Sequence, residues 1–195
     1  MRVLILFAHP LADSFAASLH RAVVTQLRRG GHEVDDCDLY GEGFDPVLSA
    51  AERRAYNTPS PDLSGVAGHV ARLKAADALV LCFPTWWYGM PAILKGYFDR
   101  VWANNVAFTL PEGGGAIRPA LTNIKKIAVV TTYGAPWWFI RLVLPDPSRA
   151  IIMNGLGRLC GHGPRRWLAL YNIDGASEAQ RAAFLARVER EFARF

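Results

Sequence analysis

Cysteine, long apolar runs and clustered charge are all scarce in this chain of 195 residues. The three cysteines, Cys37, Cys82 and Cys160, lie far apart in the sequence, and their spacing matches no metal-binding motif. An odd number of isolated cysteines is typical of proteins that work in a reducing compartment. We therefore expect a cytoplasmic protein without a metal site.

No apolar run approaches the ~20 residues that a helix needs to cross a bilayer. Only Arg2 precedes the first apolar run, which ends at His9-Pro10 and not at the small residues of a signal-peptide cleavage site. We therefore expect no stable insertion into a membrane.

The positive charge of the chain is spread out. The net charge is +5, and the basic residues occur as scattered pairs without a basic stripe that alternates with aromatic residues. This pattern predicts no nucleic-acid partner. It suits the attraction of an anionic small molecule instead. The first strand-like run is not followed by Gly-x-Gly-x-x-Gly or by a P-loop, which disfavours a Rossmann NAD site and an NTPase.

What the sequence does contain is a regular alternation of strand-like apolar runs with helical periodicity, which is typical of βα units around a parallel sheet. Strands are predicted at residues 2–8, 33–39, 78–83, 126–132 and 167–171. Helices are predicted at residues 14–29, from 49, around 66–73, at 91–102, at 150–160 and from 177, with a long excursion at 108–121 that contains Gly113-Gly114-Gly115. The prediction is one α/β domain over residues 1–195, with a flavodoxin-like, doubly wound five-stranded parallel sheet in an α/β/α sandwich.

The turn after the first predicted strand is suited to an anion. In an open parallel sheet, ligands bind at the carboxyl ends of the strands, and a helix N-terminus attracts negative charge. His9, the Ser14 hydroxyl and the main-chain N–H groups of Phe15 and Ala16 are therefore predicted to bind a phosphate group. An alternative interpretation is that His9 caps the strand and Ser14 caps the helix. The spacing supports both.

A second turn, Pro84 to Pro91, holds three consecutive aromatic residues, Trp86, Trp87 and Tyr88. Adjacent side chains in a turn diverge, so the three cannot all lie in the core. Stacking on a large planar ligand explains such a group, and Gly89 is expected to let the backbone approach it closely. The alternative is an aromatic patch at a dimer interface, and the two interpretations are compatible.

A third turn follows the strand that ends at Thr131-Thr132. Threonine hydroxyls and free backbone N–H groups from Tyr133 and Gly134 are predicted to bond the polar edge of a planar ring. The alternative is an ordinary strand end that happens to carry two threonines. The three turns together favour a flat, phosphorylated cofactor.

The chain resembles the flavodoxin-like NAD(P)H:quinone oxidoreductases. The resemblance rests on Ala8-His9-Pro10 with Ser14-Phe15, on Phe83-Pro84, on the fifteen residues from Trp87 to Val101, and on Val129-Val130-Thr131-Thr132. It implies a homodimer that holds a flavin between its subunits, with FAD as the cofactor and FMN as the alternative. The flavin contacts that it implies are His9, Ser14, Phe15, Ala16, Pro84, Thr85, Trp86, Trp87, Tyr88, Thr131, Thr132, Tyr133 and Gly134, together with Asp99 near the adenine half of FAD.

The chain departs from the family pattern at three points. Ala16 replaces a frequent Asn, and Tyr133 stands where the third turn commonly has Gly. The Tyr and His that mammalian quinone reductase places beside its flavin have no obvious match in residues 135–141, so no catalytic residue is assigned. Trp137 and Trp138 are predicted to wall an apolar substrate pocket, with core packing as the alternative.

The function that the resemblance implies is a two-electron, ping-pong transfer of hydride from NAD(P)H through the flavin to a quinone or a similar flat acceptor. Two alternatives remain open. One is a flavodoxin-fold regulatory subunit of a potassium-efflux-type transporter, and the other is a flavodoxin-like electron carrier. The sequence does not separate FAD from FMN or NADH from NADPH.

Overall fold

The computed structural model describes residues 1–111 and 115–195 of the chain. Its strands are β1 (Arg2–Phe7), β2 (Glu33–Asp38), β3 (Ala78–Pro84), β4 (Phe108–Thr109), β5 (Arg118–Pro119), β6 (Lys126–Thr132) and β7 (Arg165–Leu170). Its α-helices are α1 (Phe15–Arg29), α2 (Ala50–Ala55), α3 (Ala67–Ala75), α4 (Ala92–Val101), α5 (Pro147–Arg149) and α6 (Glu178–Phe192). Short 3-10 helices lie at Ser64–Val66, Leu156–Leu159 and Ile173–Gly175, and π-helical turns at Phe139–Val143 and Ala150–Gly155.

Five strands form one parallel sheet in the order β2-β1-β3-β6-β7, which confirms the predicted doubly wound topology. The chain moves outward from β1 to β2 and then returns across β1 to β3. This change of direction opens a crevice at the carboxyl ends of β1 and β3. The first two predicted ligand turns begin at that crevice.

Both faces of the sheet are buried, which explains why its central strands are almost entirely apolar. Val3 and Ile5 of β1 point to a core that includes residues of α1 and α6. Leu4 and Leu6 point to the opposite core, which includes residues of α3 and α4. The result is the α/β/α sandwich that the alternating pattern predicts.

Serine residues begin the helices where the sequence predicts them. The side chain of Ser14 caps α1, and Ser49 and Ser177 form complete capping boxes with Glu52 and Gln180. Glu52 also accepts two hydrogen bonds from the Arg100 guanidinium, at 2.9 and 2.7 Å. Burial by itself raises the pKa of Glu52, but the hydrogen bonds from Ser49 and Arg100 outweigh it and hold the pKa below its usual value.

The predicted single helix over residues 150–160 is wrong in detail. The segment is a π-helical turn, Ala150–Gly155, followed by a 3-10 helix, Leu156–Leu159. Two glycines weaken the helical ladder here, and the Arg165 guanidinium donates hydrogen bonds of 2.7 Å each to the carbonyls of Met153 and Gly157. The last strand of the sheet accordingly begins at Arg165, two residues before its predicted start.

The predicted excursion between α4 and β6 contains a small antiparallel pair, in which Phe108 of β4 is opposite Pro119 of β5. Gly113 and Gly114 of this excursion lie outside the described residues. The excursion leaves the five-stranded sheet uninterrupted.

Candidate functional site

Three loops meet at the carboxyl edge of the sheet: the first loop (residues 8–14), the aromatic loop (residues 85–91) and the third loop (residues 133–138). The His9 and Trp86 rings are 5.9 Å apart, which joins the first two loops. The amide and the hydroxyl of Thr85 both donate to the carbonyl of Thr132 at 2.8 Å, and this joins the aromatic loop to the end of β6. The fold therefore brings together the three turns that the sequence singles out.

The first loop presents free N–H groups at a helix N-terminus. The amides of Phe15 and Ala16, at the start of α1, donate to no acceptor in the described part of the chain. The first turn of α1 carries no acidic residue, so its positive potential is uncompensated there. This geometry suits a phosphate, whose oxygens accept from such amides.

The Ser14 hydroxyl already has partners within the protein. It donates to the carbonyl of Leu11 at 2.8 Å and accepts from the amide of Ala17 at 3.1 Å. The helix-cap interpretation of Ser14 therefore describes its geometry, and its hydroxyl proton is not free for a phosphate. Ser14 shapes the loop, and the amides beside it provide the donors.

His9 and Arg21 hold the rest of the first loop. His9 Nδ1 accepts from the amide of Leu11 at 3.0 Å, so a neutral His9 carries its proton on Nε2. The Arg21 guanidinium donates to the carbonyl of Ala12 at 2.8 Å and to the Ser18 hydroxyl at 2.9 Å. Arg21 thus adds positive charge beside the free amides, a contribution that sequence analysis missed.

The aromatic loop is a tight two-residue turn under backbone strain. Trp86 and Gly89 exchange both backbone hydrogen bonds at 3.1 Å, and Trp87 and Tyr88 between them have φ angles of 50° and 62°. Bulky residues rarely adopt positive φ, and such strain concentrates at functional sites. Gly89, which was expected to let the backbone approach a ligand closely, does not have positive φ, and the strained residues of the turn are Trp87 and Tyr88.

Exposed aromatic side chains from two loops form what we call the aromatic patch: Trp86, Trp87, Tyr88, Trp137 and Trp138. Trp87 is 95% exposed, and Trp137 and Trp138 are each 55% exposed, which rules out core packing for them. Phe139 links the two halves of the patch, with ring separations of 6.1 Å to Tyr88 and 5.8 Å to Trp138.

The third loop differs from its prediction at Tyr133. The Tyr133 amide is not free, because it donates to the carbonyl of Leu170 at 2.8 Å. Its side chain is buried, and its hydroxyl donates to Asp146 at 2.7 Å. Burial in the first place, and the hydrogen bond to Asp146 in the second, raise the pKa of Tyr133. Tyr133 therefore fixes the third loop to the core and does not offer its amide to a ligand.

The end of β6 retains one conspicuous polar group. The hydroxyl of Thr131 is buried and has no hydrogen-bond partner among the described residues. The amide of Gly134 likewise donates to no acceptor in the described ranges. A buried hydroxyl without a partner is destabilising, and a bound polar ligand would satisfy it.

Asp146 is a buried residue of this region that sequence analysis missed. It is 4% exposed, caps α5 and holds Tyr133 in place. The pair Asp146-Pro147 is a helix-start signal, with an N-cap residue followed by proline at the first helical position. That signal was present in the sequence but did not indicate that the carboxylate would be buried.

Asp99 stands apart from the three loops. It is the eighth residue of α4, about 10 Å along the helix from Ala92 at its start, and its carboxylate binds Lys95 at 2.6 Å. None of its described contacts joins it to the site. Among the described residues, no helix is long and apolar enough to cross a membrane.

Comparisons with known proteins agree with this geometry. A family model described as "Flavodoxin-like fold" matches residues 1–192. The chain is 36% identical over 158 residues to a ribosyldihydronicotinamide dehydrogenase-like protein of Penicillium crustosum, covering 69% of this chain and 58% of that protein. It is 31% identical over 179 residues to NAD(P)H dehydrogenase [quinone] 1 of Rattus norvegicus, covering 82% of this chain and 65% of that protein.

A solved structure gives the same result at the level of the fold. The NAD(P)H:quinone oxidoreductase from Methanothermobacter marburgensis superposes with a TM-score of 0.85 at 30% identity, covering 99% of this chain and 98% of that one. The chain spans less than two thirds of the length of both curated relatives named above. The match over residues 1–192 nonetheless extends through all three loops of the site. This chain therefore belongs to the flavodoxin-like family whose members include NAD(P)H dehydrogenases (quinone).

Proposed function

We propose that this protein is a flavin-dependent NAD(P)H:quinone oxidoreductase that transfers two electrons in a ping-pong sequence to a quinone or a similar flat acceptor. The observation that carries the proposal is the convergence, at one sheet edge, of free helix N-terminal amides, an unpartnered buried hydroxyl and an exposed aromatic patch. The names of the related proteins support the same activity.

The residues present fit a flavin. The amides of Phe15 and Ala16 suit its phosphate, and Thr131 and Gly134 offer donors to the pyrimidine edge of its ring. The aromatic loop offers planar side chains for the ring system. We propose FAD as the cofactor, with Asp99 near its adenine half, and FMN as the alternative.

When bound, a flavin supplies the hydride chemistry. The protein's residues then have three tasks. The first loop fixes the phosphate, so that the position of the ring is set from one end. The Thr131 hydroxyl and the Gly134 amide stabilise negative charge at the ring edge. The aromatic patch excludes water and holds the nicotinamide and then the quinone flat against the site.

The proposed protein is a homodimer in the cytoplasm. Apolar side chains near the site support a second copy as the partner, since Leu142 is 71% exposed, Val143 is 54% exposed and Ile151 is 49% exposed. Large exposed apolar patches are typical of protein interfaces. Analytical ultracentrifugation tests the dimer directly.

The first experiment on the activity is spectroscopic. Purified protein is expected to show flavin absorbance that NAD(P)H bleaches and a quinone restores. Heat denaturation, followed by chromatography against standards, identifies the released cofactor as FAD or FMN. A colourless protein that binds neither flavin and oxidises no NAD(P)H would contradict the proposal and leave the regulatory-subunit alternative in its place.

A sharper test uses Thr131→Val. Because the Thr131 hydroxyl is buried and unpartnered, replacing it with a methyl group is expected to leave the flavin-free protein equally stable or more stable. The same change is expected to raise the flavin Kd about tenfold, because the lost hydrogen bond to the ligand is worth roughly 1.4 kcal/mol. Thr25→Val, at an exposed position of α1, is the control and is expected to change neither property. Unchanged flavin affinity in Thr131→Val would remove Thr131 from the site.

A further inference from the structure

A second group of chemically capable side chains lies away from the three loops. Cys37 is in β2, Glu42 follows that strand, and His69 is in α3. One ligand atom from each of the three lies within 4.8 Å of the other two. Glu42 and His69 are 27 positions apart in the sequence, and this separation explains why the sequence shows no metal-ligand spacing.

The distances within this group fit a tetrahedral metal ion. Cys37 Sγ lies 3.6 Å from Glu42 Oε2 and 3.8 Å from His69 Nδ1. A zinc ion with bonds of ~2.3 Å to sulfur and ~2.0 Å to nitrogen or oxygen separates its ligands by about 3.5 Å at tetrahedral angles. The ligand atoms of Glu42 and His69 lie within 4.8 Å of each other, so these two side chains would approach each other to complete the geometry.

Packing orients two of the groups toward each other. The His69 ring stands perpendicular to Phe44 and to Tyr97, at ring separations of 4.9 and 5.7 Å, so Nδ1 is held toward the Cys37 thiol. The Tyr97 hydroxyl is buried and has no hydrogen-bond partner among the described residues. The Tyr97 ring helps to fix the His69 imidazole beside the Cys37 thiol.

Outer partners already hold the carboxylate ligand. Arg72 Nη1 donates to both oxygens of Glu42, at 2.9 and 2.8 Å, and Arg72 Nε donates to Asp35 at 2.8 Å. Such contacts orient a ligating carboxylate while leaving it lone pairs for a metal. The charges of Asp35, Arg72, Glu42 and a Cys37 thiolate sum to about −2, which one divalent cation neutralises.

We propose that Cys37, Glu42 and His69 bind a divalent zinc-type ion, with water as the fourth ligand. Sulfur, imidazole and carboxylate together favour zinc over magnesium or calcium, which prefer oxygen ligands. On binding, the bond from the Cys37 sulfur to its proton breaks, a sulfur–zinc bond forms, and the proton leaves to solvent. Glu42 is exposed and His69 is partly exposed, and they give the ion a route to the buried Cys37.

The ion would tie the segment after β2 to α3. Asp38, the last residue of β2, and Tyr40, in the segment after it, line a pocket together with His9 and Phe7 beside the first loop. Zinc at this site would therefore fix the position of the chain that lines one side of the proposed flavin site. The proposed zinc site does not depend on the proposed oxidoreductase activity, so each can be tested separately.

The test titrates the purified, metal-stripped full-length protein with Co²⁺ and records the thiolate-to-cobalt charge-transfer absorption. One equivalent of Co²⁺ is expected to produce the band, and Zn²⁺ is expected to displace it. Saturating Zn²⁺ is also expected to raise the Tm by about 5–10 °C at a hundredfold excess over its Kd. Neither readout depends on flavin or on activity.

Cys37→Ala and Cys160→Ala form the matched pair. Both thiols are buried, and burial in the first place raises the pKa of each to about 12, but only Cys37 has His and carboxylate neighbours in the described contacts. Cys37→Ala is expected to abolish the band and the Tm rise, and Cys160→Ala is expected to keep both. His69→Ala, at a partly exposed position, carries the test if Cys37→Ala does not fold by circular dichroism. Absence of the band in the unmodified protein, or its persistence in either ligand variant, overturns the proposal.

Discussion

Ser14→Ala separates the structural role of the first loop from its proposed role in binding. Ser14 caps α1 by accepting from the amide of Ala17 at 3.1 Å, and it also donates to the carbonyl of Leu11 at 2.8 Å. Loss of a serine N-cap costs about 1 kcal/mol. In a chain of this size, that loss lowers the Tm by about 2–4 °C.

Ser177→Ala is the matched control. Ser177 caps α6, a helix of 15 residues like α1, and accepts from the amide of Gln180 at 3.2 Å. It lies outside all three loops of the site. The two variants are expected to lose similar stability in thermal and urea denaturation, with the larger loss in Ser14→Ala because its second hydrogen bond is lost as well.

Flavin affinity distinguishes the two variants. Ser14→Ala keeps the backbone bond from residue 14 to the carbonyl of Leu11, at 3.3 Å, but loses the shorter bond from the hydroxyl. The first loop is then held less firmly, and ordering it when the phosphate binds is expected to cost about 1 kcal/mol. The flavin Kd of Ser14→Ala is therefore expected to rise about fivefold in fluorescence titrations. The Kd of Ser177→Ala is expected to stay within twofold of the unmodified protein. Equal Kd values in the two variants would refute the reasoning that the first loop binds the phosphate.

The remaining predictions concern the aromatic loop, the third loop and α2. Trp87→Gly is expected to raise the Tm by about 2–4 °C, because glycine adopts the observed φ of 50° without strain. The rate of quinone reduction is expected to fall, because the variant removes an aromatic side chain of the patch. Val47→Ala, at another exposed apolar side chain, is the control and should change neither the Tm nor the rate. Tyr133→Phe is expected to cost about 1.5–3 kcal/mol in urea denaturation, because it removes the hydrogen bond to the buried Asp146, and a loss below about 0.5 kcal/mol would contradict that role. Glu52→Gln is expected to destabilise the protein at neutral pH. Burial raises the pKa of Glu52, but its hydrogen bonds outweigh burial and lower the pKa in the folded protein. The stabilisation that the Glu52 carboxylate gives is therefore present above its unfolded pKa of about 4.3 and is lost as the pH falls through the lower folded pKa. The difference in the free energy of unfolding between Glu52→Gln and the unmodified protein should close on acidification.

The sequence predicted the sheet well because burial on both faces leaves an unmistakable pattern. Strand β6 was predicted with its observed bounds, Lys126–Thr132, and β1 to within one residue. Helix starts were equally accessible, because Ser14, Ser49 and Ser177 are local capping signals that need no tertiary information. The irregular helix at Ala150–Gly155 was not accessible, because the carbonyl of Met153 accepts a hydrogen bond from Arg165, a residue of β7.

For the candidate site, the sequence determined which loops meet, because parallel strands place their carboxyl ends at one edge. Only the tertiary structure decided the direction of individual groups. It turned Tyr133 into the core onto Asp146, engaged the Ser14 hydroxyl within its own loop, and left the Thr131 hydroxyl buried without a partner. It also brought His69 against Cys37 across 32 positions of sequence. Local patterns fix the elements and their order because those depend on neighbouring residues, whereas side-chain partners depend on residues that meet only after the chain has folded.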